Sequence, residues 1–160
     1  MKTLENKVVA LTGAGSGIGR ALALALAQRG CHLALADVNA SGLETTVARL
    51  PANIKVTTHI VDVANKDRVY AWADEVAQAH GGVDVIINNA GVATQCTLED
   101  IDYKDFDWVF DIVFYGVLYG TKAFLPYLRQ RPDAHIVNIS SVNGFFPFPG
   151  NGPYNCAKHA

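Results

Sequence analysis

The chain has 160 residues, 50% hydrophobic and 18% charged, with 13 Lys and Arg against 15 Asp and Glu. That length suits one domain, which buries roughly 70% of its unfolded surface, and is too short for two ordinary ones. A net charge of −2 gives no basic footprint for nucleic acid and no acidic tail, and the composition is neither disordered nor fibrous.

In chain order, 7–12 reads as a buried strand, followed by a Gly-rich turn and a helix over 17–29. A strand at 32–37 and a helix over 41–50 come next, then a strand at 55–61 and a helix over 66–80. A fourth strand at 84–88 leads to a long helix over 106–129, a fifth strand lies at 135–140, and residues from Tyr154 open another helix. Gly116 and Gly120 share one face of the long helix and permit close helix approach, while Pro126 should kink or end it. The strands are continuous apolar runs, as when helices cover both faces of a sheet. Their alternation with helices argues an open parallel α/β sheet and one domain over 1–160.

Cys31, Cys96 and Cys156 are odd in number and widely spaced, which argues against a disulfide framework or structural zinc. The five histidines form no ligand pair at helical spacing, so no metal is expected. Met1 to Lys7 pass into the first strand without a signal-cleavage site. The most membrane-like run, 112–121, is well short of the ~20 residues that span a bilayer. The reading is a soluble, reduced, cytoplasmic protein without a membrane or nucleic-acid partner.

Chemistry gathers first at Thr12-Gly13-Ala14-Gly15-Ser16-Gly17-Ile18-Gly19. Glycines between a strand and a helix let the backbone approach a pyrophosphate and aim the helix N-terminus at it. The spacing is T-G-x-x-x-G-x-G rather than G-x-G-x-x-G, and glycines alone also fit a turn without a ligand. Asp37 ends the second strand 20 residues after Gly17, where a ribose-binding acid belongs. Its carboxylate would accept from ribose hydroxyls and repel a 2′-phosphate, favouring NAD over NADP. Arg20, the nearest base, reads as an ordinary helix residue.

These features, with others that follow in order, resemble the short-chain dehydrogenase/reductase family over all 160 residues. Asp62-Val63 looks like the pair that contacts adenine, and Asn88-Asn89-Ala90-Gly91 matches the family's N-N-A-G, which shapes the cofactor cleft. Ser141 stands 13 residues before Tyr154 in Tyr154-x-x-x-Lys158. The resemblance implies a Rossmann-type, doubly wound parallel sheet with strand order 3-2-1-4-5. It implies NAD held by Gly13, Ser16, Gly17, Ile18, Gly19, Asp37, Asp62, Val63, Asn89, Ala90, Gly91, Tyr154 and Lys158, and catalysis by Ser141, Tyr154 and Lys158. The four-residue spacing sets the lysine beside the phenol on one helix face. A free tyrosine ionises near pH ~10, and a neighbouring cation favours its ionised form. Tyr154 would exchange a proton with an alcohol or carbonyl oxygen, Ser141 would hydrogen-bond that oxygen, and Lys158 would hold the nicotinamide ribose.

One position departs from the family. Val113-Phe114-Tyr115-Gly116 stands where members carry Asn-x-x-Gly, and valine has no side-chain donor or acceptor for a proton relay. The expected reaction is an NAD-dependent interconversion of a secondary alcohol and a ketone. The alternative is a non-catalytic or impaired nucleotide-binding member; a methyltransferase-like Gly-loop protein would leave Tyr154-x-x-x-Lys158 unexplained. Phe145, Phe146 and Phe148 fit an apolar substrate, and equally core or subunit packing. The long helix resembles the family's subunit-contact helix, so a homodimer or homotetramer is expected. Only five strands can be placed against the usual six, so the chain is read as the cofactor-binding front of a longer protein, lacking C-terminal strands and a substrate loop.

Overall fold

The computed structural model describes residues 3–160. Its strands are β1 (Val8–Thr12), β2 (His32–Asp37), β3 (Val56–Ile60), β4 (Val85–Asn88) and β5 (His135–Asn138). The helices are α1 (Gly17–Ala27), α2 (Ala40–Val47), α3 (Lys66–His80), α4 (Tyr103–Phe110), α5 (Gly116–Leu128) and α6 (Gly152–His159). All strand pairings are parallel, in the order β3-β2-β1-β4-β5. The expected five-stranded, Rossmann-type sheet is therefore present.

Alternation along the central strands sorts side chains by size. Val8, Ala10, Ala34, Ala36 and Ile86 cluster with Trp72 of α3 and Phe124 of α5, whose rings meet edge-on at 4.8 Å. Val9, Leu11, Leu33, Leu35, Val85 and Ile87 form the other cluster with Ala23 and Ala27 of α1 and Leu43 of α2. Mostly small strand residues thus receive large helix residues on one face, and the reverse holds on the other, which lets both layers close-pack. At the amino ends of the strands, Asp84 accepts from the Val8 N–H at 2.9 Å and pairs with Lys7 at 3.5 Å and Arg131 at 3.8 Å.

The pattern that reads as one helix over 106–129 is divided. A π-helical turn at Asp111–Tyr115 separates α4 from α5 and contains Val113. Pro126 does not end α5, which runs on to Leu128. In the final turn a proline forfeits one backbone bond without disturbing many others. The stretch Tyr103–Leu128 is long and apolar enough to cross a membrane by length and composition, yet Val113, Phe124 and Leu128 are built into the core. The close approach at Gly116 and Gly120 is to the sheet ends rather than to a second helix. A Cβ on Gly116 would stand 2.8 Å from Cγ2 of Val63, and one on Gly120 would stand 2.2 Å from Oδ1 of Asn88. On the far side β5 exposes all four residues.

Beside β3, Thr57 Oγ1 meets Nε2 of His80 at 3.0 Å and Nε2 of His59 at 2.9 Å, and His59 reaches Glu75 through Nδ1 at 2.9 Å. Burial, then the positive charge of Lys55, pushes His80 down from 6.5 to about 4.

Two measurements check this packing. Gly120→Ala should lower stability by about 1–3 kcal/mol through overpacking; an unchanged or raised denaturation midpoint, as helix propensity alone would give, would contradict the close approach. The fold favours neutral His80, so its contribution is whole above pH ~6.5 and is lost as the pH falls toward 4. Urea midpoints should fall between pH 7 and pH 4.5, and less so in His80→Gln; equal losses would exonerate this histidine.

Candidate active site

The strand order reverses on either side of β1, and ligands of open α/β sheets bind at the carboxyl ends there. A cleft of about 500 Å³ opens at that point. It is lined by Gly13, Ser16, Gly17, Ile18, Gly19, Asp37, Asp62, Val63, Asn89, Ala90 and Gly91, with Val38 and Ile112. A larger hollow of about 1020 Å³ lies between Leu4, Leu24 and Leu50 at the opposite end, away from these motifs.

The turn is held by a residue the motif reading passed over as a site residue. Thr12 Oγ1 accepts from the N–H groups of Asn89 and Ala90 at 2.9 and 3.0 Å. The Asn89 amide donates back to the Thr12 carbonyl at 2.9 Å, so this side chain fastens β1 to the segment after β4. A Cβ on Gly19 would lie 1.9 Å from the Gly13 carbonyl oxygen, so α1 starts against the turn itself. Gly17, at φ +49°, has open space where its Cβ would stand. Side chains cap α2, α3 and α4 through Asn39, Asn65 and Asp102, whereas Ser16 makes no such bond at α1. The first N–H groups of α1 therefore border the cleft without a side-chain cap, next to the glycine that leaves room for a ligand.

Asp37 is fixed before any ligand arrives. Its Oδ2 accepts from Gly15 N–H at 2.8 Å and its Oδ1 from Asn39 N–H at 2.9 Å. Gly15 matters for this contact, since a Cβ there would stand 2.9 Å from the carboxyl carbon. Arg20 is more than an ordinary helix residue. It donates to Thr46 Oγ1 at 3.0 Å and to the carbonyls of Gly15 and Gly42, which ties α1 to α2. Asp62 accepts from Ala64 N–H at 2.9 Å through Oδ1, turning the chain away after β3.

The second group of residues lies at the end of β5 and on α6. Ser141 caps a 3₁₀ turn, Val142–Gly144, and accepts from the Asn143 N–H at 3.2 Å. Lys158 Nζ donates to the Ile139 carbonyl at 2.7 Å and stands 5.7 Å from the centroid of the Tyr154 ring. Burial lowers the Lys158 ammonium from its ordinary value, which eases proton exchange at that nitrogen. Tyr154 packs with Val109, Val113 and Ala157. The structure thus joins Tyr154 and Lys158 but does not put them on the walls of the 500 Å³ cleft; Lys158 lines a hollow of about 340 Å³ with Val113 and Ser140. No group of three or more His, Cys, Asp or Glu suited to a metal ion occurs among the described residues.

The glycine cradle with its uncapped helix end fits the pyrophosphate of a dinucleotide, and Asp37 fits its ribose. The family model for short chain dehydrogenases matches residues 7–160. The protein named "Putative oxidoreductase SadH" from Mycobacterium tuberculosis is 45% identical across 100% of this chain and 58% of its own length. A short chain dehydrogenase/reductase from Burkholderia phymatum, crystallised with NAD, is 42% identical with a TM-score of 0.96, covering 100% of this chain and 58% of that one. NAD+-bound xylitol dehydrogenase is 31% identical with a TM-score of 0.94, covering 99% and 62%. The chain thus spans a little over half the length of these relatives. Across that span, this chain belongs to the short-chain dehydrogenase family.

Proposed function

We propose that the chain carries the cofactor-binding and catalytic residues of an NAD-dependent oxidoreductase that interconverts a secondary alcohol and a ketone. The observation that carries this reading is the pairing of an uncapped α1 N-terminus beside Gly17 with the Tyr154–Lys158 pair on α6. The NAD-bound neighbours support the choice of cofactor.

Gly13, Ser16, Gly17, Ile18 and Gly19 would hold the pyrophosphate through backbone N–H groups. Asp37 would take the adenosine ribose, and its charge opposes a 2′-phosphate. Arg20 is held by Thr46 and two carbonyls, which keeps its guanidinium from turning to pair with a 2′-phosphate. Asp62 and Val63 would border adenine, and Asn89, Ala90 and Gly91 the inner wall. When bound, the nicotinamide supplies or takes up the hydride. Ser141 would donate a hydrogen bond to the substrate oxygen, Tyr154 would give it or take from it the proton, and Lys158 would hold the nicotinamide ribose and favour the ionised phenol.

Phe145, Phe146 and Phe148 are 75%, 67% and 46% exposed, close in sequence to Ser141, which supports an apolar substrate. Trp108, Tyr115 and Leu118 are exposed on α4, the π-turn and α5, which supports a homodimer or homotetramer. The free thiols of Cys31, Cys96 and Cys156 support a reducing, cytoplasmic setting.

A weaker catalyst is favoured by one observation: Val113, 3% exposed, fills the π-turn against the cluster containing Tyr154. Val113→Asn should raise kcat by restoring a donor and acceptor, while lowering stability by about 1–3 kcal/mol for burying an amide; an unchanged or lower kcat would remove Val113 as the limit. Calorimetry should show NAD binding at least tenfold tighter than NADP. Tyr154→Phe should keep that affinity and lose about 10²–10⁴-fold in turnover. Binding of neither nucleotide, or full turnover in Tyr154→Phe, would refute the proposed reaction.

A further inference from the structure

Asn155 follows Tyr154 on α6, but its amide is turned back to the loop after β5. Its Nδ2 donates to the Phe148 carbonyl at 2.8 Å, and its Oδ1 accepts from the Phe148 N–H at 3.4 Å. One side-chain amide thus meets both backbone groups of one residue, as a neighbouring strand would. The same Oδ1 accepts from Asn143 Nδ2 at 2.8 Å. Asn143 in turn faces Ser141: its N–H donates to Ser141 Oγ at 3.2 Å, and Ser141 Oγ stands 3.4 Å from its Oδ1.

We propose that Asn155 is a positioning residue that, through Asn143, locks the Ser141 hydroxyl to the helix bearing Tyr154 and Lys158. This inference deepens the proposed reaction and rests on it. Ser141 lies between the β5 strand and the 3₁₀ turn that it caps, whereas Tyr154 and Lys158 belong to α6. A loop of exposed phenylalanines and prolines separates the two. Among the described residues, Asn155 is the side chain that bonds to both Asn143 and the Phe148 backbone. The bond from Asn143 N–H into a Ser141 lone pair leaves the hydroxyl proton to its weaker partner. At 3.4 Å, that contact is beyond a strong O–H···O bond, so a substrate oxygen can displace it. The clamp therefore fixes where the hydroxyl stands and leaves its proton available.

Misplacing a reacting group by about 1 Å can cost on the order of 100-fold in rate. Hydrogen exchange and steady-state kinetics are to be measured on the wild-type chain, Asn155→Ala and Asn155→Asp. In Asn155→Ala, amides of 142–148 should exchange at least tenfold faster and kcat should fall at least tenfold, with NAD affinity unchanged. Asn155→Asp keeps an acceptor for both donors and should recover part of each loss. Unchanged exchange in 142–148, or an unchanged kcat in Asn155→Ala, would overturn the proposal. A wild-type chain that binds no nicotinamide nucleotide and turns nothing over would refute the proposed reaction instead, leaving the exchange data to decide the clamp.

Discussion

A methyl group on Gly19 would come within 1.9 Å of the Gly13 carbonyl oxygen, and much of the site depends on that closeness. It lets α1 begin directly on the turn after β1, so its first residues line the cleft. The turn is then sewn to β4 through Thr12 and Asn89. Asp37 reaches across from β2 to Gly15. Three strand ends are thereby held at one spacing before a ligand is present, which reduces the ordering that binding would otherwise require.

The same economy of small residues governs the second site. Gly116 and Gly120 bring α5 onto Val63 and Asn88, so the helix that follows the π-turn lies against the sheet ends. The π-turn places Val113 beside Ala157 and Tyr154. Such turns interrupt the helical ladder and occur frequently at functional sites. Here the interruption sets an apolar side chain against the helix that bears Tyr154 and Lys158. Burial of Lys158 and its bond to the Ile139 carbonyl then define where its charge can act.

Periodicity and motif spacing carry different kinds of information about this chain. Unbroken apolar runs such as Val8 to Thr12 signal strands covered on both faces, and the order of strands and helices limits the topology to a parallel sheet. The cleft residues were legible because glycines, a strand-end acid and an Asn-Asn-Ala-Gly run each occupy a fixed place relative to a strand. Thr12 heads the T-G-x-x-x-G-x-G run, but no spacing within that run points to its partner, which lies 77 residues away. Arg20 reads as an ordinary helix residue because two of its acceptors, the Gly42 carbonyl and the Thr46 hydroxyl, belong to α2, and no spacing within α1 points to them.

The sequence by itself determined the strand and helix order, the parallel sheet, the glycine turn with its acid, and the Tyr154–Lys158 spacing, because these depend on neighbours within a turn or a strand. Only the tertiary structure decided the π-turn, the inward face of Gly116 and Gly120, the fastening of Asn89 to Thr12 and the Asn155 clamp. The fastening and the clamp depend on which hydrogen-bonding groups meet once the chain has folded, and the glycine face depends on its contact with the side chains of Val63 and Asn88; no local pattern encodes these meetings.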